Sequence, residues 1–213
     1  DDKKLIAFSD SVQDAAHRAG FFAARTWQNN MRMALAKAIT QYEVENHSAL
    51  PLSELDAYFA EYWQSNPNNS ERMGDIAFVT QLIAPNLQTF NDYIGLKENG
   101  VLPADGDLIR PVKRRLHWEF LVELGLRSQV GRSLERTGVA MLSWDPALIK
   151  SASAALLDSC QNLLGQTLSI EQAEQILWGI TIRLKRKGAI YDPMLQGFAE
   201  AGGDWYLISR NHL

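Results

Sequence analysis

The sequence predicts a mainly α protein, a helical, bundle-like arrangement with a short N-terminal strand and a C-terminal winged-helix-like helix plus β-hairpin. Three observations lead there. Apolar residues recur at three- and four-residue spacing through most of the 213 positions. Capping residues, prolines and glycines bracket those stretches as helix starts and stops. Strand-like apolar runs are confined to Leu5–Phe8, Ala189–Tyr191 and Trp205–Ile208.

The run Leu5-Ile6-Ala7-Phe8 lies between charged residues and Ser9-Asp10-Ser11, and reads as a buried strand running into a helix cap. From Val12 the period becomes helical, with Ala15, Ala16, Ala19, Phe22 and Ala23 on one face and good helix formers continuing through Ile39. Pro51 opens a second helix that sets Leu52, Leu55, Tyr58, Phe59, Tyr62 and Trp63 on one face. Residues 64–70 read as a loop. A third helix is expected over about 71–83, stopped by Pro85, and a fourth over about 87–98. The stretch from Asn99-Gly100 to Pro111 is the expected boundary between residues 1–100 and residues 101–213. Pro111 then opens a helix through Leu116, Phe120, Leu121 and Leu124 that stops at Gly125, and Gly131 and Gly138 frame a less regular stretch. Asp145-Pro146 is a cap followed by proline at the first helical position, starting a helix to about Gly165. Ser169 and Gln172 match a capping box. The helix behind it sets Ile170, Ala173, Ile176, Leu177, Ile180 and Leu184 on one face up to Gly188, so that about 166–213 outlines the winged-helix-like unit.

Composition narrows the setting. An apolar fraction of 46% with 22% charged residues is ordinary for a packed protein, and Trp 6, Phe 8 and Tyr 6 supply large side chains for a core. One cysteine, Cys160, forms no internal disulfide, and no apolar run approaches the roughly 20 residues of a membrane span. The expected location is the cytoplasm, with no membrane partner. Net charge is −4, divided unevenly. Residues 1–106 carry 8 Lys and Arg against 14 Asp and Glu, whereas residues 107–213 carry 13 against 11. A polyanion would prefer the second half. The opening without an initiating Met and the abrupt end at Leu213 read as signs of a piece of a larger protein.

A complete catalytic site is not expected. There is no phosphate-gripping G-x-x-x-x-G-K-[S/T] loop and no Asp-Glu pair to hold a nucleotide's metal. His17, His47, His117 and His212 are scattered, which argues against a metal site. Ser9, Ser11 and Ser133 lack a nucleophile elbow and are better explained as caps and turns. The segment from Gln129 to Arg136 invites comparison with the Q-x-x-G-R-x-G-R arginine motif, but Gln129 is one residue too close to Gly131 and the second glycine is absent. Arg132 remains a candidate for contact with phosphate or an acidic partner. Arg183, Lys185, Arg186 and Lys187 form the densest basic cluster. On a helix they serve either to neutralise backbone phosphate or to oppose the negative end of the helix dipole. Lys113-Arg114-Arg115 open a helix, where the dipole disfavours cations, so an anionic partner is the competing explanation for them.

The opening Lys4-Leu5-Ile6-Ala7-Phe8-Ser9-Asp10-Ser11-Val12-Gln13-Asp14-Ala15-Ala16-His17-Arg18-Ala19-Gly20 resembles the start of the second RecA-like lobe of large DEAD/DEAH-box (superfamily two) helicases. Val12 departs from the arginine that many relatives carry there. Trp118–Leu126, Gly131–Glu135 and Arg186–Tyr191 also look like stretches of such proteins. The resemblance implies a parent that uses ATP and Mg to move on nucleic acid, DNA being the first candidate and RNA the second. This chain would then be a non-catalytic accessory region that binds or guides nucleic acid beside the parent's remaining lobes. Ser9, Asp10 and Ser11 would lie where such lobes meet nucleic acid, with Lys113, Arg114, Arg115, Arg132, Arg183, Lys185, Arg186 and Lys187 on backbone phosphate. The alternative is a helical docking or scaffold module, discriminated by whether Tyr58, Tyr62 and Trp63 are exposed or buried.

Overall fold

Helix α1 (Val12–Asn46) has 35 residues, and at about 1.5 Å each it is roughly 52 Å long. From residue 19 onward, where side-chain burial is described, the buried positions are Trp27, Met31, Ala34, Leu35 and Ala38. That spacing gathers one stripe on one face. Residues 19–26 have no buried side chain, so this part of α1 contributes nothing to the core behind Trp27. The helix ends at His47, whose φ of 52° is left-handed and whose amide donates to the Glu43 carbonyl at 2.9 Å. The structure, a computed structural model, describes residues 12–64, 74–102, 108–126, 131–165, 167–187, 189–194 and 196. The chain divides into two compact units, residues 1–117 and 118–213.

In the first unit, Pro51 leads into a 3-10 turn (Leu52–Glu54) and helix α2 (Leu55–Gln64). Leu55, Phe59, Ala60, Tyr62 and Trp63 are buried on α2. Helix α3 (Asp75–Leu82) buries Phe78, Val79 and Leu82, and α1, α2 and α3 pack on one another. Phe59 and Phe78 sit 6.3 Å apart edge to face, and each fully buried ring contributes about 2–3 kcal/mol through lost apolar surface. Two indoles close the remaining polar gaps. Trp27 Nε1 donates to the Leu82 carbonyl at 2.8 Å, satisfying an acceptor that the end of α3 leaves open. Trp63 Nε1 donates to the Ala34 carbonyl at 3.3 Å.

Two boundaries differ from the expected ones. The helix expected over 71–83 runs from Asp75 to Leu82, residues 71–73 lying outside the described residues. The helix expected over 87–98 is split, because Pro85 holds Ala84 extended and starts a separate 3-10 turn, Pro85–Leu87. Helix α4 begins only at Asn91 and runs to Asn99.

Helix α5 (Ile109–Leu121) starts two residues before Pro111, which occupies the first turn where its missing N–H costs nothing. The division between units falls after His117. In the second unit, α5 continues past Leu121 as a π-helical turn, Val122–Leu126, so Gly125 lies inside the turn rather than stopping the helix. The irregular stretch 131–144 contains one tight turn, closed where Gly138 takes φ 72° and the Val139 amide reaches the Leu134 carbonyl at 2.9 Å. Helix α6 (Pro146–Leu164) is capped by Asp145, whose carboxylate accepts from the Ala147 amide at 2.8 Å. It ends at Gly165, with φ 61°. Helix α7 (Ile170–Arg186) opens with the expected capping box. Ser169 Oγ accepts from the Gln172 amide at 3.2 Å, and Gln172 Oε1 accepts from the Ser169 amide at 2.9 Å. The short connection brings α7 back along α6 as an antiparallel pair.

Among the described residues the chain is mainly helical and contains no strand. Ala189–Tyr191, expected as half of a hairpin, is irregular backbone. Ile190 packs instead against Gly125, where a Cβ would meet Ile190 Cδ1 at 2.6 Å. The expected strands at 5–8 and 205–208 lie outside the described residues.

Candidate nucleic-acid interface

The last turn of α7 carries the densest positive charge, and helix geometry sorts its four cations. At about 100° per residue, Arg183, Arg186 and Lys187 fall within a 100° arc while Lys185 points the opposite way. Arg183, Arg186 and Lys187 are exposed, with no ion-pair partner among the described residues. The acids of the helix pair, Asp158, Glu171 and Glu174, lie toward its connected end. The pair is therefore positive at one end and negative at the other.

Lys185 is a different kind of residue. It is 4% exposed, its Nζ pairs with Glu135 Oε1 at 2.9 Å, and it donates to the Leu142 carbonyl at 3.0 Å. Its charge serves the interior of the unit, which removes it from the expected phosphate-contact set. It also ties the 131–142 segment to α7, the same segment that carries Arg132 and Arg136. Both arginines are exposed on that tethered segment, Arg136 directly beside Glu135 in sequence. Arg136 was not among the expected contact residues, and only the long-range pair Glu135–Lys185 reveals it.

The segment is held from its other side too. Glu123, buried in the π-helical turn, accepts from the Leu134 amide at 2.7 Å. Ser133, fully buried, accepts from the Arg136 amide at 3.2 Å, a turn-forming role rather than a nucleophilic one. The three sequence stretches 118–126, 131–135 and 186–191 thus come together in one unit through Glu123–Leu134 and Gly125–Ile190, with Glu135–Lys185 closing the contact one residue before the third.

In the first unit, Lys113 and Arg114 are exposed on α5. Because α5 starts at Ile109, residues 113–115 lie beyond its first turn, where the dipole penalty has largely faded. The guanidinium of Arg115 lies 5.8 Å above the Trp27 ring, a contact inside the unit. Tyr62 and Trp63 are buried and Tyr58 is half-buried, stacked 6.2 Å from Tyr62 and donating to Glu45 Oε2 at 3.1 Å. These aromatics are core, not an exposed docking patch. Ser9, Asp10 and Ser11 lie outside the described residues.

The Glu171 carboxyl is shifted. The Ser169 hydroxyl, donating at 2.7 Å to the Glu171 carboxylate, and a backbone hydrogen bond hold that carboxyl below its ordinary value. Among the described residues no three His, Cys, Asp or Glu side chains converge to hold a metal ion, and no helix is long and apolar enough to cross a membrane. No protein-family model, curated protein or solved structure matches this chain.

Proposed function

We propose that this chain is a non-catalytic accessory region that binds nucleic-acid backbone, within a helicase-like, ATP-driven parent of the DEAD/DEAH-box kind. The observation that carries the reading is the solvent-facing cation group of the second unit: Arg183, Arg186 and Lys187, with Arg132 and Arg136 on the tethered segment. Arg183, Arg186 and Lys187, exposed and with no ion-pair partner among the described residues, meet phosphate at little desolvation cost, and such contacts position a protein without reading sequence. Lys113 and Arg114 supply a second exposed pair in the first unit. ATP and Mg chemistry is assigned to the parent's other parts, since the sequence has no loop to grip a nucleotide's phosphates. A winged-helix character for about 166–213 rests on the sequence pattern of residues 205–208.

Fluorescence anisotropy with labelled single-stranded, duplex and forked DNA tests this. If three cations each neutralise one phosphate, log affinity falls with log salt at a slope of about −2.7, or about 40-fold between 50 and 200 mM. The triple variant Arg183→Glu, Arg186→Glu, Lys187→Glu should lose that salt-sensitive binding. Unchanged DNA affinity in a folded triple variant removes the proposal.

A further inference from the structure

The apolar face predicted for α7 is only partly used by the fold. Ala173 is buried and Leu177 half-buried, yet Ile176, Ile180 and Leu184 are 43%, 48% and 46% exposed. They lie on the side of α7 turned away from Lys185, the residue that packs against the 131–142 segment. Helix α6 has a matching flank. Leu148, Ala152, Ala155, Ser159 and Leu163 recur at four- and three-residue spacing and are all exposed, Leu148 at 63% and Leu163 at 81%. Because both helices are right-handed and run antiparallel, the two flanks open on the same side of the pair. The result is an apolar surface two helices wide that no other described element of this unit covers.

Charge distinguishes among occupants. By helical phase Arg183 and Lys187 sit in line with Ile176 and Ile180, so one end of this face is cationic. Asp158, Glu171 and Glu174 fall on other sides of their helices, and the remaining border is Gln172, Gln175 and Asn162. A second copy of the chain would bring no carboxylate to Arg183 and Lys187 from the same face. We infer that the α6–α7 face is a docking surface for an amphipathic helix of a partner protein, its apolar stripe on Ile176, Ile180 and Leu148 and its Asp or Glu residues on Arg183 and Lys187. The mode is helix-in-groove recognition with an electrostatic end that fixes orientation. It shares Arg183 and Lys187 with the nucleic-acid reading but draws its energy from the apolar face, so neutral changes on that face separate the two.

The test uses the whole chain and a fluorescein-labelled synthetic peptide of about five helical turns, with leucines at three- and four-residue spacing and glutamates at one end. A twin peptide carries lysines in place of the glutamates. The glutamate peptide should bind saturably and the lysine twin at least tenfold more weakly. Ile180→Glu, and separately Leu148→Ser on the other helix, should each weaken the glutamate peptide at least tenfold with helicity unchanged by circular dichroism. Arg183→Glu with Lys187→Glu should invert the preference between the peptides. Leu148→Ser, which adds no charge, should leave DNA affinity unchanged, which separates this surface from the phosphate contacts. Equal binding of both peptides, or no effect of Leu148→Ser and Ile180→Glu, overturns the inference. Self-association by sedimentation that Ile180→Glu abolishes overturns it too, with a second copy as the occupant.

Discussion

Lys185 belongs by sequence to a run of cations and by structure to the interior. Its ammonium is satisfied by one carboxylate and one carbonyl, the pairing that makes burial of a charge tolerable. Removing one member leaves the other charge buried alone, which costs about 3–5 kcal/mol. Lys185→Ala should therefore lower the denaturation midpoint of the second unit sharply, while Lys185→Met with Glu135→Leu should recover most of the loss. Both double- and single-variant DNA affinities, measured where the protein is folded, should match the wild type. A selective loss of DNA binding in the stable double variant would return Lys185 to the phosphate-contact set. Helical phase alone separates Lys185 from Arg183, Arg186 and Lys187. The sequence does not say which side faces inward, because the deciding partner, Glu135, lies far away along the chain. The same holds for Arg115, whose place over Trp27 joins α5 to a helix it never approaches in sequence.

At the scale of elements, the strongest signals were local ones that need no distant partner. Asp145 before Pro146 and the Ser169–Gln172 box cap α6 and α7 as expected, since capping geometry is completed within four residues. Ser169→Ala should destabilise α7 by about 1 kcal/mol. The Glu171 carboxyl titrates below its ordinary value when folded, so its contribution is full at neutral pH and is lost as pH falls through that lowered value. The cost of Ser169→Ala should accordingly be larger in melts at neutral pH than in strong acid, where Glu171 is already protonated. An equal cost at both would show that the hydroxyl acts on the helix amides alone. What stayed hidden was set by packing. Gly125 reads as a helix stop, yet it is kept small by Ile190. Gly125→Ala forces that β-branched side chain aside, and overpacking of this kind costs about 1–3 kcal/mol. The companion Ile190→Val should recover part of it in a thermal melt.

Over the whole molecule, the charge asymmetry seen in the sequence becomes a spatial one within the α6–α7 pair. The mixed composition of residues 107–213 conceals it, because Asp158, Glu171 and Glu174 nearly cancel the cations in any count by segment. Separation along the helix restores the distinction. Glu174 and Arg186 are 12 positions apart, about 18 Å along the axis. The screening length is about 8 Å at physiological salt and about 30 Å at 10 mM, so the acids oppose a phosphate at the basic end only in dilute salt. Asp158→Asn with Glu174→Gln should therefore raise DNA affinity about twofold near 10 mM salt and leave it unchanged near 150 mM. The slope of log affinity against log salt at higher salt should stay as in the wild type, since the number of phosphates neutralised has not changed. If the gain persisted at 150 mM, the two acids would be near the bound phosphates, and the nucleic acid would lie along the helix pair rather than at its basic end.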